Sequence, residues 1–344
     1  MLGFQGSIIA ANFKRLDSPF KLSYAVTYRC NLKCQMCNIW DKADHSHELS
    51  AADIAKFFQR PHRIHWVGLT GGECFLRVDL PEIADAILSH SKDLKAIHIA
   101  TNGTLTDRVD RFMTEVRKKH KKIKFVFTIS IDGPEDLHNK IRGVEGVWAK
   151  ALATYKMLKE MPLVKPQFGF TLSHSNVGRF KETFLALKEA CPQHRFDDMT
   201  VNIFQRSSFY YDNQTMPALD ADVVVKEIKS ILAMDDEGLT LNNFLRRKYL
   251  QMYSGFLKTG KSPVKCQSFA STCFLDPYGT LLPCAVYNRK LLNIKETDLS
   301  LKEVWQMSEA RKICQEASSN QCPGGWSPCD AYSAMGGSLL QTLL

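Results

Sequence analysis

Between about residue 20 and residue 235, strand-like and helix-like stretches alternate six times, and this alternation limits the possible folds more than any other feature of the chain. Runs rich in β-formers at 22–28, 65–70, 96–100, 125–131, 167–172 and 200–204 read as strands. Helices are expected over 50–60, where Ser50 and Asp53 stand at capping-box spacing, and over 81–90, with Pro81 in the first turn. Further helices are expected from a cap at Thr106 and over 147–159, 179–190 and 221–233. Strand–helix alternation of this kind builds a parallel sheet with helices outside it. Six units are too few to close an eight-stranded barrel. The fold class is therefore α/β, with a partial (β/α)6 TIM-like barrel.

The character changes after residue 260. Helical periodicity fades and cysteines become frequent. Residues 274–286 read as a hairpin turning at Asp276, Pro277, Tyr278 and Gly279, and one helix is expected over 301–315. The chain divides into an N-terminal extension (1–20), the barrel core (21–235), a helical linker (236–263) and a small cysteine-rich C-terminal domain (264–344). So few apolar runs in the last segment imply that bound ligands supply much of its stability.

The chain has 344 residues, eleven of them cysteine. It contains no apolar run long enough for a membrane span, and no basic start precedes the apolar Ile8, Ile9, Ala10 and Ala11. A cytoplasmic protein is expected. Disulfides are disfavoured there, so clustered cysteines point to metal or catalysis. Only Cys74 and Cys191 lie outside two groups, one at Cys30, Cys34 and Cys37 and one between Cys266 and Cys329.

The first group follows the first strand directly and reads C-x3-C-x2-C. A zinc site uses four ligands, commonly in paired C-x2-C steps. Three thiolates on one short loop suit a four-iron cubane with one iron left open. Structural zinc remains the competing reading. Gly71-Gly72-Glu73 follows the second strand, Thr101-Asn102-Gly103 the third, and Ser130-Ile131-Asp132-Gly133-Pro134 the fourth, with His138-Asn139-Lys140-Ile141-Arg142-Gly143 just beyond. All of them fall past the C-terminal ends of strands, the face that carries chemistry in βα barrels.

In these motifs, over residues 22 to about 205, the chain resembles the radical S-adenosylmethionine enzymes. The resemblance implies that Cys30, Cys34 and Cys37 hold a [4Fe–4S] cluster whose open iron binds S-adenosylmethionine. It places Gly71, Gly72 and Glu73 at the methionine amino group and Ser130 and Arg142 at its carboxylate, with Asn102 and Asp132 nearby. A guanidinium fork suits a carboxylate. Asp132 has a second reading, as a cap of the following turn. Met36 is implied near the adenine, as is Ile203, for which plain core packing is an equal reading. Ser173, His174 and Asn176 are candidates to reach ribose or substrate. By the same resemblance, one-electron reduction cleaves S-adenosylmethionine to methionine and a 5′-deoxyadenosyl radical, which abstracts a substrate hydrogen atom. A flavodoxin- or ferredoxin-type reductant is implied.

The second cysteine group, Cys266-x12-Gly279-x4-Cys284, resembles the opening half of the auxiliary-cluster domains called SPASM or twitch. Relatives complete such a site with a later C-x2-C step. Here Gly325 stands where the second cysteine of that step would be, after Cys322. One auxiliary [4Fe–4S] cluster is expected on Cys266, Cys284, Cys322 and Cys329, with Cys273 and Cys314 in reserve and a zinc ribbon as the alternative. An electron-accepting role for that cluster implies net oxidation.

The expected substrate is a small metabolite, sugar or lipid. Only about 20 residues precede the first strand, so no peptide-recognition domain is expected there. A peptide-modifying maturase is the alternative, and a non-catalytic iron–sulfur or zinc carrier is the alternative of another class. Sulfatase maturation fits poorly, because that branch places an acidic residue where Ala285 stands. The formal charge of +9 falls to roughly +6 with two clusters on seven thiolates, too diffuse for nucleic acid. The basic run Arg117–Lys124 reads as a solvated helix end, and a metal role for His45, His47 and Glu48 is not expected.

Overall fold

The computed structural model describes residues 4–42, 46–235, 238 and 240–343. Six strands, β1 (Lys21–Thr27), β2 (Trp66–Gly71), β3 (Ala96–Thr101), β4 (Lys124–Ser130), β5 (Val164–Leu172) and β6 (Met199–Ile203), lie in sequence order and pair in parallel. Helices connect them, and the apolar faces of helices and strands merge into one core. This is the mixed α/β architecture of a partial barrel.

Local sequence accounts for most boundaries. Ser50 and Asp53 form the expected capping box at the start of Ala51–Gln59. Helix Val147–Lys159 spans the expected residues. Thr106 is the first helical residue of Thr106–Lys119 rather than its cap, because its hydroxyl bonds Thr154 Oγ1 at 2.7 Å. The single helix expected over 301–315 is two, Leu301–Gln306 and Ser308–Ser318, because Met307 between them is extended. A short helix at Glu135–Arg142 was not expected.

The C-terminal region is not a separate layer. β7 (Thr272–Leu275) pairs in parallel with β1, and β8 (Thr280–Leu282) and β9 (Leu292–Asn293) extend the same sheet antiparallel. Asp276 builds the expected hairpin turn by accepting from the Tyr278 and Thr280 amides with Oδ1, at 3.0 and 2.7 Å. Gly279 has φ of +97°, and a Cβ there would press on Asn293 Oδ1. Helix Pro328–Gly336 packs against β6 and against helix Leu241–Thr259. Trp305 and Trp326 are fully buried in the same apolar cluster as Leu22, Ile97 and Phe168. The last 80 or so residues thus draw on the barrel's own core in addition to any bound ligand.

The inner face of the barrel is polar. His98 Nε2 and Gln167 Nε2 both lie within hydrogen-bond reach of Thr128 Oγ1, at 2.8 and 2.9 Å. Gly68 leaves open space beside Ser23 and His98. Burial, helped by Lys21, lowers the His98 pKa to about 4, so the ring is neutral at physiological pH. Because the cores are continuous, Trp326→Ala should cost ~3–5 kcal/mol. Calorimetry of the metal-free chain should show one transition at lower temperature, with no separate C-terminal step.

Candidate active site

The cysteine loop is held by backbone contacts that side chains would block. Gly72 N–H donates to Thr27 O at 2.9 Å and Glu73 N–H to Arg29 O at 2.8 Å. A Cβ on Gly71 or Gly72 would collide with Thr27 O or Arg29 O, and Gly71 has φ of +142°. From the other side, Lys33 N–H donates to Arg142 O and Gln35 N–H to Ile141 O, at 3.2 and 2.9 Å. Gly143 caps that helix in the left-handed conformation, where a Cβ would lie 2.8 Å from Lys33 O.

Glu73 is turned inward. Its carboxylate accepts from Thr101 Oγ1 (2.8 Å), Asn102 N–H (2.7 Å) and Phe75 N–H (3.1 Å). It clamps the ends of β2 and β3 together, so the Gly-Gly-Glu backbone, rather than this side chain, is what remains for an ammonium group. Burial pushes the Glu73 carboxyl up, against the pull of these hydrogen bonds. Asn102 Nδ2 reaches Asn31 Oδ1 in the cysteine loop at 2.8 Å.

Arg142 is buried between a carboxylate and a thiol. Nη2 lies 2.5 Å from Asp132 Oδ2, and Nη1 lies 3.6 Å from Cys34 Sγ. Burial disfavours its charge, but Asp132 and Cys34 more than offset this and raise its pKa. Its Nε is buried with no hydrogen-bond partner among the described residues. Asp132 Oδ1 also accepts from Thr171 N–H at 2.9 Å, joining β4 to β5. Ser130 sits at the end of β4 beside Gly169. Asn176 is a fully buried clamp, donating to Asp132 O and Thr171 O at 3.0 Å each. Ile203 faces away from this polar rim and is packed in the core, as the alternation along β6 requires. His174 is exposed and approaches Ala218 O.

Burial raises the Cys30 and Cys37 thiols to about 11 and about 12. Each also feels the charge of Cys34. Among the described residues no three His, Cys, Asp or Glu groups are arranged to hold a single metal ion, so neither cysteine set is a preformed zinc tetrahedron. A cubane instead puts each thiolate on a different iron. Three thiols on one docked loop, with an unspent guanidinium N–H beside them, fit a [4Fe–4S] cluster and a carboxylate-bearing ligand.

The segment after β6 also shapes the site. Asn38 N–H donates to Tyr211 O (2.8 Å), Asn213 Nδ2 to Met36 O (2.9 Å) and Ser207 Oγ to Ala285 O (2.8 Å). Tyr210 OH reaches Gly71 O at 3.1 Å. This segment therefore ties the cysteine loop, Gly71 and the residue after Cys284 together. No motif spacing marks Asn213 or Asn31.

Away from the cysteine loop, a second site is a cavity lined by Cys266, Cys284, Cys322, Gly325 and Asp330. Burial raises all three thiols, to about 11 for Cys266, and Asp330 raises Cys266 and Cys284 further. Cys329 is exposed and does not line the cavity. Cys273 is buried on β7 and Cys314 lies against Arg15, both elsewhere. The three gathered thiols fit an iron–sulfur cluster. Cys74 is a buried thiol near Ala100 O, and Glu48 is paired with Arg29 and Arg77. His47 is exposed, and His45 lies outside the described residues.

Residues 24–186 match the family model of the Radical SAM superfamily. Members of that superfamily use a [4Fe–4S] cluster and S-adenosylmethionine, and the matched residues hold the cysteine loop, Gly71, Gly72 and Arg142. Over 173 residues, 48% of this chain and 40% of the relative, it is 32% identical to the Fe-coproporphyrin III synthase of Methanosarcina barkeri. That alignment spans less than half of the relative's length. Over 349 residues, 96% of this chain and 80% of the relative, it is 23% identical to the mycofactocin maturase MftC of Mycolicibacterium smegmatis. In fold it is similar to Streptococcus suis SuiB bound to S-adenosylmethionine, with a TM-score of 0.61 and 17% identity over 87% of this chain and 68% of that one. SuiB has also been solved with the precursor peptide SuiA. Among the described residues no helix is long and apolar enough to cross a membrane.

Gly72→Ala should displace the cysteine loop and abolish S-adenosylmethionine binding by equilibrium dialysis, with the far-ultraviolet circular dichroism retained. Arg142→Lys removes the fork, and binding should weaken by roughly 10–100-fold, the value of about 1.5–3 kcal/mol for a charged hydrogen bond. In the metal-free chain, alkylation of Cys30 and Cys37 should rise about tenfold per pH unit between pH 7 and 9, because the thiolate is the reactive form.

Proposed function

We propose that this chain is a radical S-adenosylmethionine enzyme that modifies a peptide, with a second iron–sulfur cluster in its C-terminal region. The observation that carries the first part is the cysteine loop docked on Gly71 and Gly72, with Arg142 beside it. When bound, the cluster and S-adenosylmethionine supply one-electron reductive cleavage and a 5′-deoxyadenosyl radical able to take a hydrogen atom from substrate. The chain's own residues bind and orient. Cys30, Cys34 and Cys37 hold three irons. The Gly71 and Gly72 backbone receives the ammonium group, and Arg142, with Ser130 nearby, receives the carboxylate. Met36 borders the base. Asp132 and Cys34 keep Arg142 charged and aimed. Residues 21–235 form the catalytic core and residues 264–344 the auxiliary-cluster region, joined by the helical linker.

Support for a peptide comes from where the relatives align. The maturase MftC aligns over nearly the whole chain, including the second cysteine group. The tetrapyrrole-forming relative aligns over only about half of it. The polar inner face at Ser23, His98, Thr128 and Gln167 offers hydrogen-bonding groups suited to a peptide backbone. This displaces the small metabolite, sugar or lipid as the leading substrate. The auxiliary cluster is assigned an electron-accepting role, giving net oxidation, and a flavodoxin or ferredoxin delivers the first electron.

Anaerobic reconstitution with iron and sulfide, followed by dithionite and S-adenosylmethionine, should yield 5′-deoxyadenosine and methionine. Cys30→Ala, Cys34→Ala or Cys37→Ala should each abolish both products. Zinc alone in anaerobically purified protein, or an electron paramagnetic resonance spectrum blind to S-adenosylmethionine, would refute the assignment.

A further inference from the structure

The second cavity gathers three thiols, one short of the four donors that a fully ligated cubane needs. The fourth donor has to come from a residue already at the cavity wall. Gly325 cannot be that position, since a Cβ there would press on Val286 Cγ2 at 2.6 Å. Beyond the neutral Ser262, Ser268, Tyr287 and Asn320, the wall carries one carboxylate, Asp330, which follows the sequence candidate Cys329 on helix Pro328–Gly336.

Neighbouring residues on a helix project about 100° apart, so one rigid helix aims one of the two at the cavity. Asp330 lines the cavity and Cys329 does not. Cys329 is exposed. The helix is fixed in this rotation by several contacts. Ser327 caps it, with Oγ donating to Asp330 Oδ2 at 2.8 Å and accepting from the Asp330 N–H. Lys21 Nζ donates to Cys329 O, and buried Trp326 donates from Nε1 to Tyr249 O at 3.2 Å. The bond to Ser327 uses Oδ2 of Asp330 and leaves Oδ1 for another partner.

A capping role alone would be served by an aspartate pointing to solvent. Here the carboxyl group shares one cavity wall with three thiols, and bound iron would draw all four groups into their anionic, donor forms. We propose that Asp330 is the fourth ligand of the auxiliary [4Fe–4S] cluster, giving a three-thiolate, one-carboxylate site, and that Cys329 is not a ligand. This rests on the two-cluster reading above and deepens it. A carboxylate is a harder and weaker donor to iron than a thiolate. Such a cluster has one labile corner and a higher reduction potential than its all-cysteine counterpart, which suits an electron acceptor.

The test removes the first cluster, so that no turnover is needed. In a chain carrying Cys30→Ala, Cys34→Ala and Cys37→Ala, the auxiliary cluster is the remaining iron centre, and reconstitution should give about four irons per chain. Adding Cys329→Ser should leave the iron content and the electron paramagnetic resonance spectrum unchanged. Adding Asp330→Asn, which keeps the shape and a partner for Ser327, should lower the count to about three and give a three-iron signal on oxidation. Asp330→Cys should restore about four irons and move the reduction potential to a more negative value. Circular dichroism establishes that each variant is folded. Loss of iron in Cys329→Ser, or a spectrum and potential indifferent to both Asp330 substitutions, would overturn the assignment while leaving the second cluster in place. A triple-alanine background that binds no iron would overturn the two-cluster reading itself.

Discussion

The site depends on two peptide units passing close to each other with no side chain between them. The chain leaving β1 at Thr27–Arg29 lies against Gly71 and Gly72 at the end of β2, and their amide hydrogen bonds set the position of the cysteine loop. Everything else at the mouth is placed relative to that contact. Glu73 follows the second glycine and must turn inward, where it binds the end of β3. Asn102 then reaches back to Asn31, closing a ring of polar contacts around the loop. A methyl group at either glycine would push the cysteine loop off the end of β2.

The charges at the mouth are arranged for a guest. Arg142 and Asp132 form a buried pair, and such pairs contribute little net stability because desolvation offsets their attraction. Their value is positional. Asp132 holds the guanidinium at the lip of the barrel and is itself tied to β5 through Thr171, so the fork cannot swing away. The helix that carries Arg142 docks its C-terminal carbonyls on the cysteine loop. Movement of the loop and of the carboxylate receptor is thereby coupled.

Much of this was legible in the sequence where the signal is local. The six strands and most helices follow from alternation and capping, and the motifs do fall at the ends of β1 to β4. The hairpin at Asp276–Gly279 was equally plain, because an aspartate two and four residues ahead of free amides builds its own turn. What escaped is set by contacts distant in sequence. Nothing in residues 272–275 announces that they pair with β1, and nothing in Asn213 announces Met36 as its partner. Glu73 reads as an acid at the methionine amino group until Thr101 and Asn102 are seen to enclose it. The rotation of one short helix decides between Cys329 and Asp330, and a spacing of cysteines carries no information about rotation.

The placement of β7 has a consequence for how the chain must be made and handled. β1 is a fully apolar strand at several positions, with Leu22, Tyr24 and Val26 sealed from water, and β7 covers the row of peptide groups that would otherwise lie unpaired. A ribosome has to complete some 250 residues after β1 before that cover exists, counting roughly from Thr27 to Leu275. Through that interval the nascent barrel carries a sticky flank ready to template pairing with another chain. Truncated versions lacking the C-terminal third keep the same flank permanently, and for them the hazard is precipitation rather than lost chemistry.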